Sequence, residues 1–205
     1  GYRPDQLPIP QVDPPAQPAG YAFAIWGLIY AWLAVSALFG VIRRRDDTDW
    51  NAMRGPLIVS LAIGTPWLWI ANHSPVWATV TIFAMAGAAI LAAIRAPERD
   101  RWWAFAPVSI YAGWLTAASF VSLAATAAGN GVLTDGFGWA IIAILGATSA
   151  ALIVLGRLRH RTEYALTLAW ALIGIIVANG TDPLWVSGLA TAAIAAVAIR
   201  AIPAP

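Results

Sequence analysis

The 205-residue chain contains neither cysteine nor lysine, and only 11% of its residues are charged. Lack of cysteine excludes disulfides, thiolate metal sites and thiol nucleophiles. Lack of lysine excludes a covalently bound retinal, because no amine is available for a Schiff base. Histidine is scarce too: His73 and His160 fall in loops on opposite faces and cannot share a metal ion. The ten acidic residues all lie in loops or at segment ends. No carboxylate therefore marks a proton or ion path through an apolar segment. No acid–base or nucleophile constellation is visible, so the chain reads as a non-enzyme, without nucleic acid as a partner.

Apolar residues dominate instead. They make up 60% of the chain, against about 45–50% in soluble domains. A soluble core of this size could not absorb the excess, so the outer surface must be apolar as well and needs lipid. With a spanning helix of roughly 20 residues as the ruler, seven segments qualify. They run approximately Tyr21–Ile42, Gly55–Ala71, Val76–Ile94, Trp102–Ala128, Gly136–Leu155, Glu163–Asn179 and Leu184–Ile202. The second and sixth are short, which leaves six spans and a re-entrant segment as the alternative. The expected fold class is an all-α integral membrane bundle over residues 21–202, with a three-residue tail at 203–205.

Charge supports the count. Arg43, Arg44, Arg45 and Arg54 follow the first segment; Arg95, Arg99 and Arg101 follow the third. Arg157, Arg159 and Arg161 follow the fifth, and Arg200 closes the chain, while the alternate loops hold no arginine. Only Arg3 falls on the other side. Under the positive-inside rule this places the N-terminus outside and the C-terminus in the cytoplasm, in a bacterial inner membrane. Residues 1–20 hold six prolines and form an extended outer lead-in; without a basic start and an apolar core they are no signal peptide. The chain does not open on Met, which points to a trimmed start.

Proline and repetition give further expectations. Pro66 and Pro107 fall inside the second and fourth segments, where they free carbonyls that Thr65 and Ser109 are placed to satisfy. Ala71–Trp77 resembles Ala178–Trp185 with one insertion, which fits parallel repeats over 21–95 and 136–202 joined by the fourth segment. Asn72-His73-Ser74 and Asn179-Gly180-Thr181 match the short glycosylation pattern, a signal with a high false-positive rate.

The twelve tryptophans are the unusual quantity. Trp67, Trp69, Trp77, Trp139 and Trp185 suit an outer interfacial belt, and Trp50, Trp102 and Trp103 an inner one. Trp26, Trp32, Trp114 and Trp170 lie deeper, where an indole N–H needs an acceptor that acyl chains lack. Phe23, Trp26 and Tyr30 share a helical face, and Tyr111, Trp114, Ala118 and Ser122 form a second stripe. Both stripes fit ordinary helix packing as well as a site. A site of this kind suits a flat or elongated apolar ligand: a porphyrin, carotenoid, sterol-like lipid or quinone.

The run Phe23-Ala-Ile-Trp26-Gly-Leu-Ile-Tyr30, after Pro14, Pro15 and Pro18, resembles the first helix of the tryptophan-rich sensory protein (TspO/MBR, translocator protein) family. The stripe Pro107-Val-Ser109-Ile-Tyr111-Ala-Gly-Trp114 resembles the longer bacterial members. The resemblance implies a helical membrane bundle that binds tetrapyrroles and sterol-like lipids, with a part in regulating pigment synthesis in photosynthetic bacteria. Core members have five spans, against seven counted here. The expected ligand-binding residues are Phe23, Trp26, Tyr30, Tyr111, Trp114 and Trp170. Any cofactor would be non-covalent: a tetrapyrrole, a carotenoid or a lipid. The expected function is sensory or regulatory. The alternatives are an accessory subunit of a larger membrane complex, such as a photosynthetic pigment–protein assembly, and a small-solute carrier with a polar path at Thr65, Asn72 and Asn179. Partners are the bilayer, an apolar small molecule and, at the protein level, a larger complex or a homodimer.

Overall fold

The computed structural model describes residues 4–202. Arg3 and the tail 203–205 lie outside the described residues. Among those described there is no strand, and seven helices are long and apolar enough to cross a membrane. A 3-10 turn, Gly20–Ala24, leads into α1 (Ile25–Arg43). The second span is α2 (Thr48–Gly64) followed by α3 (Trp67–His73). The remainder are α4 (Pro75–Arg95), α5 (Ala106–Gly129), α6 (Gly136–Leu155), α7 (Thr162–Asn179) and α8 (Leu184–Ala201).

The second span is not short. It runs over 26 residues, Thr48–His73, because Asp47 caps α2 by accepting from the backbone N–H of Asp49 (3.1 Å) and Trp50 (3.3 Å). A hydropathy ruler skips these first turns because they carry Asp49 and Arg54. Arg54, expected in a loop, therefore sits inside α2. Its guanidinium donates to the carbonyls of Gly40 (2.9 Å) and Arg44 (2.8 Å), satisfying the open end of α1. Helices α1 and α2 meet here at close range: a Cβ on Gly40 would fall 2.8 Å from the Trp50 ring. The sixth span holds 18 residues, long enough to cross.

Pro66 separates α2 from α3, and Thr65 donates its hydroxyl to the Leu61 carbonyl at 2.9 Å. Pro107 lies within the fourth span, Arg101–Gly129, as expected. It sits where a π turn at Arg101–Phe105 runs on into α5, and the Trp102 carbonyl of the preceding turn accepts from the Trp32 indole at 2.8 Å. Ser109 accordingly repairs no carbonyl: its Oγ is buried without a hydrogen-bond partner.

Helix α5 is the axis of the bundle. It packs against α1, α4, α6 and α7, while α2 leans on α4 and α8 on α6 and α7. Small residues permit this: a Cβ on Gly113 would stand 2.9 Å from the Tyr164 carbonyl oxygen of α7. Hydroxyls stitch the same contact. Thr116 donates to Ala112 O (2.9 Å), so Tyr164 donates to Thr116 at 2.6 Å.

The arginines gather at one end with their acids. Asp100, 7% exposed, accepts from Arg44 Nε (2.8 Å) and Nη2 (3.1 Å) and from the Trp50 indole (2.8 Å). Arg44, Trp50 and Arg99 together hold its carboxyl below the ordinary carboxylate value, with the Arg44 hydrogen bonds the largest influence. Arg99 pairs with Asp47, Arg159 with Glu98, and Arg101 with the buried Glu163 at 2.6 Å. Trp50 is thus a buried strut, not an interfacial anchor. Trp139 is also buried, donating to Val132 O at 2.6 Å. Trp69, Trp77, Trp102, Trp103 and Trp185 are exposed on the bundle surface.

Candidate aromatic cavity

The lead-in folds back over the end of the bundle opposite the arginines. Its length is held by backbone and amide contacts: Gln6 Nε2 donates to Asn72 O (2.6 Å), and Ile9 N to Gly129 O (2.8 Å). Asn179 Nδ2 donates to Pro15 O and Ala19 N to Gly174 O, both at 2.9 Å. Glycines make room for it. A Cβ on Gly129 would strike Leu7 at 2.5 Å, and one on Gly174 would strike Pro18 at 2.8 Å. Proline suits a strap because it fixes the chain without leaving an amide to satisfy.

Beneath this strap lies a cavity of about 930 Å³, near the upper end of the roughly 300–1,000 Å³ usual for small-molecule sites. Phe23, Trp26 and Tyr30 of the first span form one wall, and Tyr111, Trp114, Ala118 and Ser122 of α5 form the floor. The stripe predicted on each helix thus faces a single space. The rings pack in register. Trp26 stacks on Tyr30 with centroids 5.2 Å apart, and Phe23 meets Trp114 edge-on at 5.6 Å. Tyr111 and Trp114 are buried, while Tyr30 is 58% exposed.

Trp170, expected in the same group, does not line the cavity. Its indole donates to Ala22 O at 3.0 Å and stands edge-on to Tyr21, bracing the turn that starts the first span. Trp32 also stays outside: it donates to Trp102 O at 2.8 Å and stacks on that ring. Both deep indoles find acceptors, as hydrocarbon requires. Trp114 differs, its fully buried Nε1 having no hydrogen-bond partner among the described residues, and Trp26 turns its ring to the cavity.

The opposite wall comes from residues that no sequence stripe marked: Leu61, Gly64 and Thr65 at the end of α2, Trp67 and Leu68 in α3, and Met85 in α4. Pro66 was the available signal, since the helix break turns Trp67 inward to donate to Ala78 O at 2.9 Å. From the strap come Leu7, Gln11, Pro14, Gln17 and Pro18. Of the three residues expected along a polar carrier path, Thr65 alone lines the cavity. Asn72 donates to Leu68 O and Asn179 to Pro15 O and Ile175 O.

Hydroxyl chemistry around the cavity is largely internal. Ser60 Oγ donates to Met85 O at 2.8 Å, so the Tyr111 hydroxyl, 3.0 Å away, donates to Ser60. Ser122 is bonded to Thr79 at 2.8 Å. The arrangement can hold a molecule by ring contact and a few neutral hydrogen bonds. Among the described residues no group of three or more histidine, cysteine or acidic side chains could hold a metal ion.

No curated protein and no solved structure matches the chain. A family model described as TSPO-like protein matches residues 11–202, from the strap to the end of the last helix. With that match spanning nearly the whole chain, this multi-pass membrane protein belongs to the TSPO-like family.

Proposed function

We propose that the protein is a sensory or regulatory membrane protein that binds a flat or elongated apolar ligand, of the tetrapyrrole, carotenoid or sterol-like class, beneath the N-terminal strap. The observation that carries this reading is the convergence of Phe23, Trp26, Tyr30, Tyr111 and Trp114 on one cavity of about 930 Å³. These rings touch one another, yet the space they share with α2, α3 and the strap stays open, where ordinary helix packing would have filled it as densely as an organic crystal. In this reading the arginine-bearing end faces the cytoplasm of a bacterial inner membrane and the strap faces outward.

The test is ligand titration in lipid nanodiscs, following tryptophan fluorescence. Protoporphyrin dimethyl ester, a flat ring without charge, is expected to quench saturably. Trp114→Leu should weaken that quenching, while Trp77→Leu, on the exposed surface, should leave the affinity unchanged. Quenching that never saturates, or that both variants reduce alike, refutes the reading.

A further inference from the structure

We infer that the cavity selects an uncharged ligand, whose polar atoms are hydroxyl or carbonyl oxygens and not carboxylates. The inference rests on the ligand-binding reading above and narrows it. Among the described residues lining the cavity there is no arginine, no histidine and no acid. Each of the eleven described arginines lies away from this lining. On α1 the first arginine beyond Tyr30 is Arg43, roughly 20 Å further along the helix axis. Arg44, Arg99 and Arg101 are already engaged by Asp100, Asp47 and Glu163 at that far end.

A carboxylate buried without a cation or a dense set of donors is strongly disfavoured, since its hydration is lost and nothing replaces it. The donors present here are few and neutral. Tyr111 is committed to Ser60, Thr65 to Leu61 O and one of the two Gln11 amide hydrogens to Ile9 O. What remains for a ligand is the Tyr30 hydroxyl, the Gln17 amide, the second Gln11 N–H and the Trp26 indole N–H, all on lining residues. The Trp114 indole, buried and unpartnered, belongs to the same floor. These groups can serve single oxygens, one at a time. Around them Phe23, Leu61 and Met85 offer apolar surface, and Trp67 gives its indole N–H to Ala78 O.

The experiment compares one ring in two charge states. Protoporphyrin and its dimethyl ester are titrated into the full chain in nanodiscs at pH 7, each corrected for partition into protein-free nanodiscs. The ester should bind at least ~10-fold more tightly, as expected for burying an unpaired carboxylate. The free acid should gain affinity as pH falls toward 5 and its carboxylates begin to protonate, while the ester should not change. Leu68→Arg, at the exposed edge of the cavity, should narrow or reverse the preference for the ester by adding a cation within reach of the acid.

Equal affinities for acid and ester at pH 7 would overturn the inference and leave the cavity reading standing. So would an acid affinity that ignores pH. Failure of the ester itself to bind would instead overturn the ligand-binding reading, and the inference with it. The wild-type comparison decides the matter even if Leu68→Arg does not fold.

Discussion

The indole of Trp26 stands almost at right angles to that of Trp114, with ring centres 6.2 Å apart and planes inclined by 84°. One ring comes from the first span and the other from the central helix, so their contact joins wall to floor. Edge-to-face pairs contribute about 0.5–1.5 kcal/mol beyond their buried area. A ligand ring packed on Trp26 would gain a contact of the same size, so Trp26→Leu should reduce affinity roughly 2- to 12-fold while leaving the helical far-ultraviolet circular dichroism unchanged. An unaltered titration curve would remove Trp26 from the site.

Tyr111 and Ser60 should respond unequally to truncation. Ser60→Ala strands a buried tyrosine hydroxyl, at a cost of about 1–3 kcal/mol. Tyr111→Phe leaves Ser60 still bonded to Met85 O and should cost less, about 0.5–1.5 kcal/mol. Thermal unfolding of both variants in detergent checks the order; the reverse order would show that the Tyr111 hydroxyl is not the donor in this pair.

The α5–α7 contact leaves no room at Gly113, where an added methyl would meet the Tyr164 carbonyl oxygen at 2.9 Å. A backbone atom cannot swing aside as a side chain can. Gly113→Val should lower stability by about 1–3 kcal/mol through overpacking. Gly55→Ala, where an added Cβ meets nothing within 4 Å, is the control and should be neutral or slightly stabilising in a thermal melt.

Acid should loosen the arginine-bearing end. Asp100 has its carboxyl depressed below the ordinary value of 3.8, chiefly by the Arg44 hydrogen bonds. A depressed native pKa stabilises the fold above the unfolded value, and that stability is lost as pH falls through the native one. Melting temperatures should thus fall below about pH 4 in the wild type and change less in Asp100→Asn. At pH 7 the substitution should cost about 1–3 kcal/mol, because it removes the close ion pair of Arg44, leaving it only Asp47 at 3.9 Å, and weakens the acceptor for Trp50. Equal acid sensitivity in both proteins would assign the effect elsewhere.

The strap should come loose when its seat on α7 is filled. Gly174 lies under Pro18 and Ala22, with an added Cβ at 2.8 Å and 3.0 Å from them. Gly174→Leu is expected to expose residues 4–19 to limited proteolysis without unfolding the bundle. It should also raise the ligand dissociation rate. Cleavage no faster than in the wild type would show that the strap is held independently of this contact.

Sequence alone determined the membrane class, the seven spans and the two aromatic faces, because each depends on local periodicity or on the cost of charge in hydrocarbon. The stripes at Phe23–Tyr30 and Tyr111–Ser122 were legible for that reason. The start of the second span was not, since an Asp47 cap and polar first turns hide a helix from a hydropathy ruler. Nor could periodicity separate Trp170 from Trp26, because which neighbour a deep indole meets depends on helices far apart in sequence.

Only the tertiary structure decided that the two stripes touch along one side and leave a cavity open beside that contact. It also turned the proline-rich lead-in into a roof and brought Leu61, Thr65 and Trp67 in as the far wall. The physical reason is that a cavity is made by surfaces that fail to meet, and that depends on where breaks such as Pro66 and close approaches such as Gly113 and Gly174 hold the helices.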